Sequence, residues 1–281
     1  MGSGLKSVAA LGIAACALFA SRLAMAEQGY LVGALGDSIT RAMNARRLFD
    51  QPRMSWSTGD DGGRMVESHY WRLRDSLGAV ENYNASKSGA VARDLRDQIE
   101  SLLPHAPDYV TLLVGANDVC DWPADHGARL AEFQAEIERA VTRLVEAAPE
   151  IRIVLSPVPD MYRMYEVGKT KDCTKKWNTF SICPPLLGSE RTKAERQAFV
   201  QRLEDANRAL RTVSSAFRDH VLYLEELEKY PFQAEHVSDI DCFHPSIDGQ
   251  QLLADITWRP EWAVTGDRAL AAFDLAAKLI P

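Results

Sequence analysis

Cysteine is scarce in this chain of 281 residues, with five in all, and no two of them form a C-x-x-C pair. Such pairs are typical of structural zinc sites, so we predict no metal, and no motif indicates a cofactor. The chain also lacks a run of basic residues, and its 39 acidic residues outnumber its 32 basic ones. We therefore expect no nucleic-acid binding, which depends on Lys and Arg contacts to phosphate.

Long apolar runs are absent too. The main one, Val8–Ala20, is too short for a comfortable membrane span. It follows Lys6 and precedes Ala24-Met25-Ala26, which is typical of a cleavable secretory signal. We predict a signal over residues 1–26 and export to the periplasm or the medium. Lipidation at Cys16 is the alternative, but the apolar residues after Cys16 fit the middle of a signal better.

Removal of the signal would leave 30 basic and 39 acidic residues, a net charge of −9, and four cysteines. An even number of cysteines in an exported chain favours two disulfides, and three pairings are open. The four are Cys120, Cys173, Cys183 and Cys242.

Apolar runs alternate with amphipathic stretches along residues 27–281, which we treat as one domain. The runs lack strict alternation, as strands buried on both faces of a parallel sheet do. Predicted strands are Tyr30–Asp37, Val80–Ser86, Tyr109–Asp118, Ile151–Pro159 and His220–Glu226. Predicted helices are Arg64–Leu77, Val91–Leu103, Arg129–Ala147, Ser189–Phe217, Ile247–Ile256 and Arg268–Leu279. This alternation predicts a three-layer α/β/α sandwich.

Two long segments interrupt the alternation. Arg41–Gly63 is polar, and Asp160–Gly188 carries several aromatic and methionine side chains. Both follow strand ends, where open α/β sheets bind ligands, so we expect them to wall a cleft. The apolar side chains of the second segment either contact an acyl chain or cover the sheet edge.

Five residues have side chains or backbone groups suited to acyl transfer. Ser38 follows the first strand in "LGDSIT", Gly89 lies in "NASKSGA", and Asn117 follows the third strand in "VGANDVC". Near the end, "DCFHPS" places Asp241 three residues before His244. A serine nucleophile needs a base, and the base needs a partner that holds its tautomer. Each motif alone also fits a purely structural role, as a helix cap or a turn.

Taken in order, these four motifs resemble the sequence blocks of the SGNH, or GDSL, hydrolases, and the resemblance spans the whole mature chain. "SWSTGDDGG", "NASKSGA" and "DCFHPS" resemble the phospholipase B branch most. Ile39 stands where the family's short name has leucine, a conservative change. The resemblance implies a flavodoxin-like fold with strand order 2-1-3-4-5.

The resemblance also implies the site residues. Ser38 is the implied nucleophile, His244 the base and Asp241 the residue that orients it. The Ser38 and Gly89 N–H groups and the Asn117 side chain are the implied oxyanion hole. The implied function is a secreted ester hydrolase, of lipase, phospholipase B or lysophospholipase type. A carbohydrate O-acetyl esterase and an acyltransferase are the alternatives.

These assignments carry two further expectations. With Cys120 near Asn117 and Cys242 beside His244, we expect the disulfides Cys120–Cys242 and Cys173–Cys183. We also expect a monomer that acts on a small-molecule or lipid ester and makes at most transient contact with a membrane or micelle surface.

Overall fold

A computed structural model describes residues 29–169 and 173–265. The predicted signal over residues 1–26 and the predicted helix Arg268–Leu279 lie outside the described residues.

The core of the fold is a five-stranded sheet in the order 2-1-3-4-5, and all its pairings are parallel. This confirms the predicted sheet and its strand order. The strands are β1 (Tyr30–Gly36), β2 (Val80–Asn84), β3 (Tyr109–Leu113), β4 (Arg152–Leu155) and β5 (Val221–Tyr223). Every residue of the two central strands, β1 and β3, is buried, because helices cover both faces.

Ten α-helices lie among the described residues. They are α1 (His69–Leu77), α2 (Leu95–Leu102), α3 (Ala116–Asp121), α4 (Gly127–Ala147), α5 (Met161–Gly168), α6 (Thr174–Thr179), α7 (Pro184–Leu187), α8 (Lys193–Ala216), α9 (Ile247–Thr257) and α10 (Pro260–Ala263). Short 3-10 turns at Pro52–Met54, Ala92–Asp94, Leu103–His105, Glu225–Lys229 and Ala234–His236 complete the regular structure.

Alternate side chains of the strands pack into two separate hydrophobic cores, one on each face of the sheet. Leu31 and Leu35 of β1 belong to the larger core, under α2, α4 and α8, whereas Tyr30 and Val32 belong to the smaller one, under α1. This follows from the two-residue period of a strand. Trp71, Trp258 and Trp262 pack on the smaller core.

Several boundaries differ from the sequence prediction for local reasons. Helix α1 begins five residues later than predicted, because the Ser68 hydroxyl caps it by accepting the Trp71 N–H. Strand β3 ends at Leu113, and Gly115 turns the chain with φ 123° into the unpredicted helix α3. That turn places Asn117 on a helix rather than at the end of a strand.

Both insertions are more buried than expected. In the first, Trp56 is fully buried, and its backbone N–H donates to the Gln250 side chain on α9. In the second, Met161, Met164 and Trp177 pack into the larger core. The second insertion thus covers the sheet, and Met161 and Met164 also line a small apolar pocket together with Ile39.

The predicted disulfide pairing is wrong. The structure pairs Cys120 with Cys183 and Cys173 with Cys242, with Cα–Cα distances of 5.0 and 5.7 Å. Cys120 and Cys242 do follow residues of one cleft, but the second insertion lies between them and pairs with both. Trp177 of that insertion is buried and donates its indole N–H to the Cys242 carbonyl.

Two disulfides are typical of proteins from oxidising compartments outside the cytosol. No helix in the described part of the chain is long and apolar enough to cross a membrane.

Candidate active site

Ser38, His244 and Asp241 form one chain of hydrogen bonds. The Nε2 atom of His244 lies 2.8 Å from the Ser38 hydroxyl, and its Nδ1 atom lies 2.6 Å from an Asp241 carboxylate oxygen. All three side chains are buried, with 7%, 8% and 4% of the surface of Ser38, His244 and Asp241 exposed. The arrangement couples a hydroxyl to an imidazole whose other nitrogen faces a carboxylate.

Backbone bonds hold Asp241 and His244 in one tight loop. One oxygen of Asp241 accepts the N–H groups of Phe243 and His244 at 2.9 and 3.0 Å. The His244 carbonyl accepts the Ser238 N–H at 2.8 Å, and Ser246 then caps α9 by accepting the Gly249 N–H. The spacing of three residues therefore lets Asp241 bind the backbone and the ring of His244 at once.

Asn44 is a member of this site that the sequence did not reveal. Its side-chain N–H donates to Asp241 Oδ2 at 2.6 Å, and its own carbonyl accepts the Ser238 hydroxyl at 2.6 Å. Asn44 and Asp241 are 197 residues apart. No local motif marks an asparagine in a turn-rich loop as the partner of such a distant carboxylate.

Two opposing effects act on the pKa of Asp241. Burial raises the pKa of its carboxyl, but the hydrogen bonds from His244 and Asn44 outweigh burial and lower that pKa below its usual value. Asp241 is therefore an ionised acceptor at neutral pH.

Ser38 lies in a turn, two residues after the end of β1. Gly36 has φ 143°, and a Cβ atom there would lie 2.2 Å from the Leu113 carbonyl oxygen of β3. Only glycine lets the two strands approach so closely. Because Gly36 pairs with Leu113 in register, the chain segments that follow β1 and β3 leave the sheet at the same edge.

Gly89 and Asn117 lie together beside this edge. The Asn117 side-chain N–H donates to the carbonyl of Ala90, the residue after Gly89, at 2.9 Å. An amide nitrogen carries two hydrogens, so this bond leaves the second for a ligand. Gly89 has φ 82° and nothing within 4 Å of the place where a Cβ would stand. The backbone there is open to an incoming group.

Two other carboxyls adjoin the site, the fully buried Asp37 and the partly buried Asp118. Burial raises the pKa of Asp37 to about 6 and the pKa of Asp118 to about 7, and the nearby charge of Asp37 adds to the rise at Asp118. The Asp118 carboxylate accepts the Ala92 N–H, and Asp37 accepts that of Ile39. Neither carboxyl was assigned a role from the sequence.

Among the described residues, His244 is the only histidine whose ring joins a carboxylate to a serine hydroxyl. His69 is buried between the hydroxyls of Tyr109 and Thr257. His126 faces Asp205 through one ring nitrogen and a backbone carbonyl through the other. The structure therefore brings the predicted His244 together with Asp241 and Ser38.

The chain matches the model of the GDSL-like Lipase/Acylhydrolase family over residues 34–252, well over half of its length. The protein belongs to this family. The matched span includes all of the candidate site residues. Membership in this lipase and acylhydrolase family makes the protein a carboxylic ester hydrolase.

Relatives of this GDSL-family chain include two mammalian proteins named "Phospholipase B1, membrane-associated". The human protein is 30% identical over 169 residues, which is 48% of this chain and 11% of the human one. The rat protein is 25% identical over 276 residues, which is 81% of this chain and 19% of the rat one. The GDSL chain thus spans less than a fifth of either relative.

Solved structures share the fold. The lipase Lip_vut3 from a goat rumen metagenome has a TM-score of 0.53 and 14% identity, covering 81% of this chain and 95% of its own. Phospholipase A1 from Streptomyces albidoflavus has a TM-score of 0.50 and 15% identity, covering 82% of this chain and 100% of its own. At these identities the similarity establishes the fold and leaves the substrate open.

Proposed function

We propose that this GDSL-family protein is an exported serine hydrolase of lipid esters, with Ser38 as nucleophile, His244 as general base and Asp241 as its orienting acid. The observation that carries the proposal is the continuous chain from Asp241 through His244 to Ser38, with distances of 2.6 and 2.8 Å. Distances in this range suit proton transfer between a hydroxyl and an imidazole.

The reaction proceeds in two steps. His244 takes the proton of Ser38 as the serine oxygen attacks the ester carbonyl, and Asp241 stabilises the imidazolium that forms. His244 then gives the proton to the leaving alcohol, and the ester C–O bond breaks to leave an acyl-enzyme. Water, activated by His244 in turn, attacks this acyl-enzyme and releases the carboxylic acid.

An oxyanion hole built from the Ser38 N–H, the Gly89 N–H and the Asn117 amide binds the negative charge of each tetrahedral intermediate. The open backbone of Gly89 and the unused N–H of Asn117 support this assignment. Donors that are fixed before the reaction stabilise a charge that appears only as the transition state forms.

A small apolar pocket of about 20 Å³ lies beside these residues, so an acyl chain must displace part of its lining to enter. Its lining includes Ile39, Ala116, Phe243 and Pro245, each an immediate neighbour of Ser38, Asn117 or His244. The mammalian relatives carry the name phospholipase B1, which agrees with glycerolipid or lysophospholipid esters. The predicted signal over residues 1–26, with cleavage after Ala26, supplies the export route.

The Ser38→Ala variant tests the nucleophile. We expect it to lose ester hydrolysis and labelling by a serine-directed phosphonate, while it keeps the thermal stability of the parent. The variant Ser86→Ala is the matched control, since Ser86 is also buried but its hydroxyl bonds to Asn84. Labelling that persists in Ser38→Ala would overturn the assignment.

A substrate panel tests the ester class. We expect turnover of nitrophenyl esters to rise with acyl length and lysophospholipid to be hydrolysed faster than acetylated xylan. Preference for the acetylated polysaccharide would replace the lipid assignment by a carbohydrate esterase.

A further inference from the structure

Four consecutive residues near the candidate site place large side chains in solvent. They are Arg46, Arg47, Leu48 and Phe49, called here the RRLF tip. Leu48 and Phe49 are 66% and 73% exposed. Few large apolar side chains are exposed in the described part of the chain, and these two are adjacent in sequence. Two adjacent exposed apolar side chains of this size mark a surface that meets something other than water.

The exposure of the tip is fixed by the fold. The Phe49 N–H donates to the Asn44 side chain at 2.8 Å, and the Phe49 carbonyl accepts the Asn44 N–H at 3.0 Å. The Gln51 side chain donates to the Arg47 carbonyl at 2.6 Å and accepts the Arg47 N–H at 3.1 Å. Asn44 and Gln51 are themselves buried. The tip therefore stands on an ordered base.

The tip also carries two positive charges that form no ion pair within the described chain. Within the described chain, neither Arg46 nor Arg47 has a carboxylate within ion-pair distance, whereas nearby Arg41 pairs with Asp50. The guanidinium of Arg46 donates to the sulfur of the exposed Met65 at 3.3 Å. On a chain with a net charge of −7, two such arginines form a local positive surface.

The tip is adjacent to the candidate site on two sides. Asp50, the residue after the tip, accepts the hydroxyl of Ser88, which precedes the exposed Gly89. Asn44, which anchors Phe49, also binds Asp241. A surface that meets the tip is therefore brought to the residues that surround Ser38.

We propose that the RRLF tip docks the protein onto the surface of an anionic phospholipid bilayer. Leu48 and Phe49 enter the boundary between head groups and acyl chains, and the two arginines bind phosphate. The combination of paired apolar and paired cationic side chains matches a surface that offers both acyl chains and phosphate groups. The docking role rests on the proposed lipid-ester hydrolysis and adds that the substrate is lipid in a bilayer. Binding to the bilayer can be measured without catalysis.

The test measures binding of the Ser38→Ala chain to vesicles of phosphatidylcholine containing about one third phosphatidylglycerol. Each arginine near an anionic surface increases the binding affinity by about fivefold. The double variant Arg46→Ser/Arg47→Ser is therefore expected to weaken binding by about 25-fold. Leu48→Ser/Phe49→Ser is expected to weaken it by at least about tenfold. Pure phosphatidylcholine vesicles and high salt are expected to weaken binding of the parent.

Two matched controls localise the effect. Arg139→Ser/Arg143→Ser removes the same charge from two exposed arginines of α4 that pair with glutamates, and Phe180→Ser removes an aromatic that is 67% exposed on the second insertion. Both are expected to bind like the parent. Melting temperatures within a few degrees of the parent verify that each variant is folded.

Equal binding by the tip variants and the parent would overturn the proposal. A loss in the controls as large as in the tip variants would overturn it too, because binding would then follow total charge or total exposed aromatic surface. Since every chain in the experiment lacks Ser38, failure of the proposed hydrolysis leaves these results unchanged.

Discussion

Asn44 joins two loops that carry the proposed chemistry. It lies six residues after Ser38, and its amide binds the carboxylate of Asp241 while its carbonyl binds Ser238. A carboxylate that orients a histidine must itself be held, because a small rotation would move the imidazole away from the serine. We therefore treat Asn44 as a positioning residue, one step removed from the reacting atoms.

Removal of the Asn44 amide is expected to lower kcat with little change in KM. In Asn44→Ala, Asp241 loses one hydrogen bond and rotates more freely, so we expect kcat to fall by about 10- to 100-fold, by analogy with other lost charge-assisted bonds. Steady-state hydrolysis of a soluble nitrophenyl ester measures both constants. Unchanged kcat would remove Asn44 from the machinery.

The conservative variant Asn44→Asp separates orientation from a merely structural role. It places two carboxyls at hydrogen-bond distance, which favours one shared proton. We expect the ratio of variant to parent kcat to fall as pH rises and that proton leaves. A ratio that is constant with pH would indicate only a general loss of structure.

Asn117 makes a different prediction, because it is proposed to touch the reacting oxygen. Loss of one oxyanion donor costs about 2.7–4 kcal/mol of barrier, so Asn117→Ala is expected to lower kcat by about 10²- to 10³-fold with a modest change in KM. The control Asn178→Ala alters an asparagine bonded to Ser189 on the second insertion. Near-normal turnover of Asn117→Ala would exclude its amide from the oxyanion hole.

At the scale of elements, the second insertion is the framework of the site. Cys120–Cys183 ties it to α3, which carries Asn117, and Cys173–Cys242 ties it to the loop of His244. Cys242 itself has a left-handed backbone, with φ 59°, between Asp241 and His244. The loop of Asp241 and His244 is thus linked to the insertion, and not to the segment after β3 as the sequence suggested.

The two disulfides are expected to contribute similarly to stability and differently to activity. They close segments with separations of 63 and 69 residues, so each is expected to stabilise the fold by about 4 kcal/mol on a chain-entropy model. Cys173→Ser/Cys242→Ser is expected to lower kcat more than Cys120→Ser/Cys183→Ser does, because it frees the backbone between Asp241 and His244. Denaturant unfolding and ester hydrolysis measure the two effects. Equal loss of kcat in both variants would contradict this.

At the scale of the whole molecule, buried ionisable groups give the fold an uneven pH dependence. Burial lowers the pKa of His69 to about 3, so stability falls as pH decreases below the ordinary range for histidine. Asp118, with its pKa raised to about 7, acts in the opposite direction. The folded chain binds more protons than the unfolded chain between about pH 4 and 7, so this carboxyl makes the unfolding free energy fall as pH rises.

Asp118→Asn isolates this contribution. Asparagine keeps an oxygen acceptor for the Ala92 N–H and carries no charge. We expect the variant to gain stability over the parent as pH rises from about 4 to about 7, reaching an advantage of the order of 4 kcal/mol above that range. Urea unfolding at several pH values measures the difference. A difference that does not change with pH would show that Asp118 is not buried as an acid.

The sequence by itself determined the sheet, the strand order implied by its motifs, and the candidates Ser38, His244 and Asp241. The strand order came from the resemblance of the motifs to a known family. The other features are local: a buried strand shows as an apolar run, and a glycine or an Asp-x-x-His spacing acts within a few residues. Even the relation between Asp241 and His244 needs only one short loop.

Tertiary structure alone decided the partner of Asp241, the disulfide pairing and the burial of both insertions. The contact between Asn44 and Asp241 spans 197 residues, and each cysteine pairs according to which surface its loop meets. Such contacts depend on how separate elements pack against each other. They correspond to no periodicity and no fixed spacing in the sequence. Proximity to one cleft was therefore not enough to pair Cys120 with Cys242, because the insertion that separates them is fixed only by the completed fold.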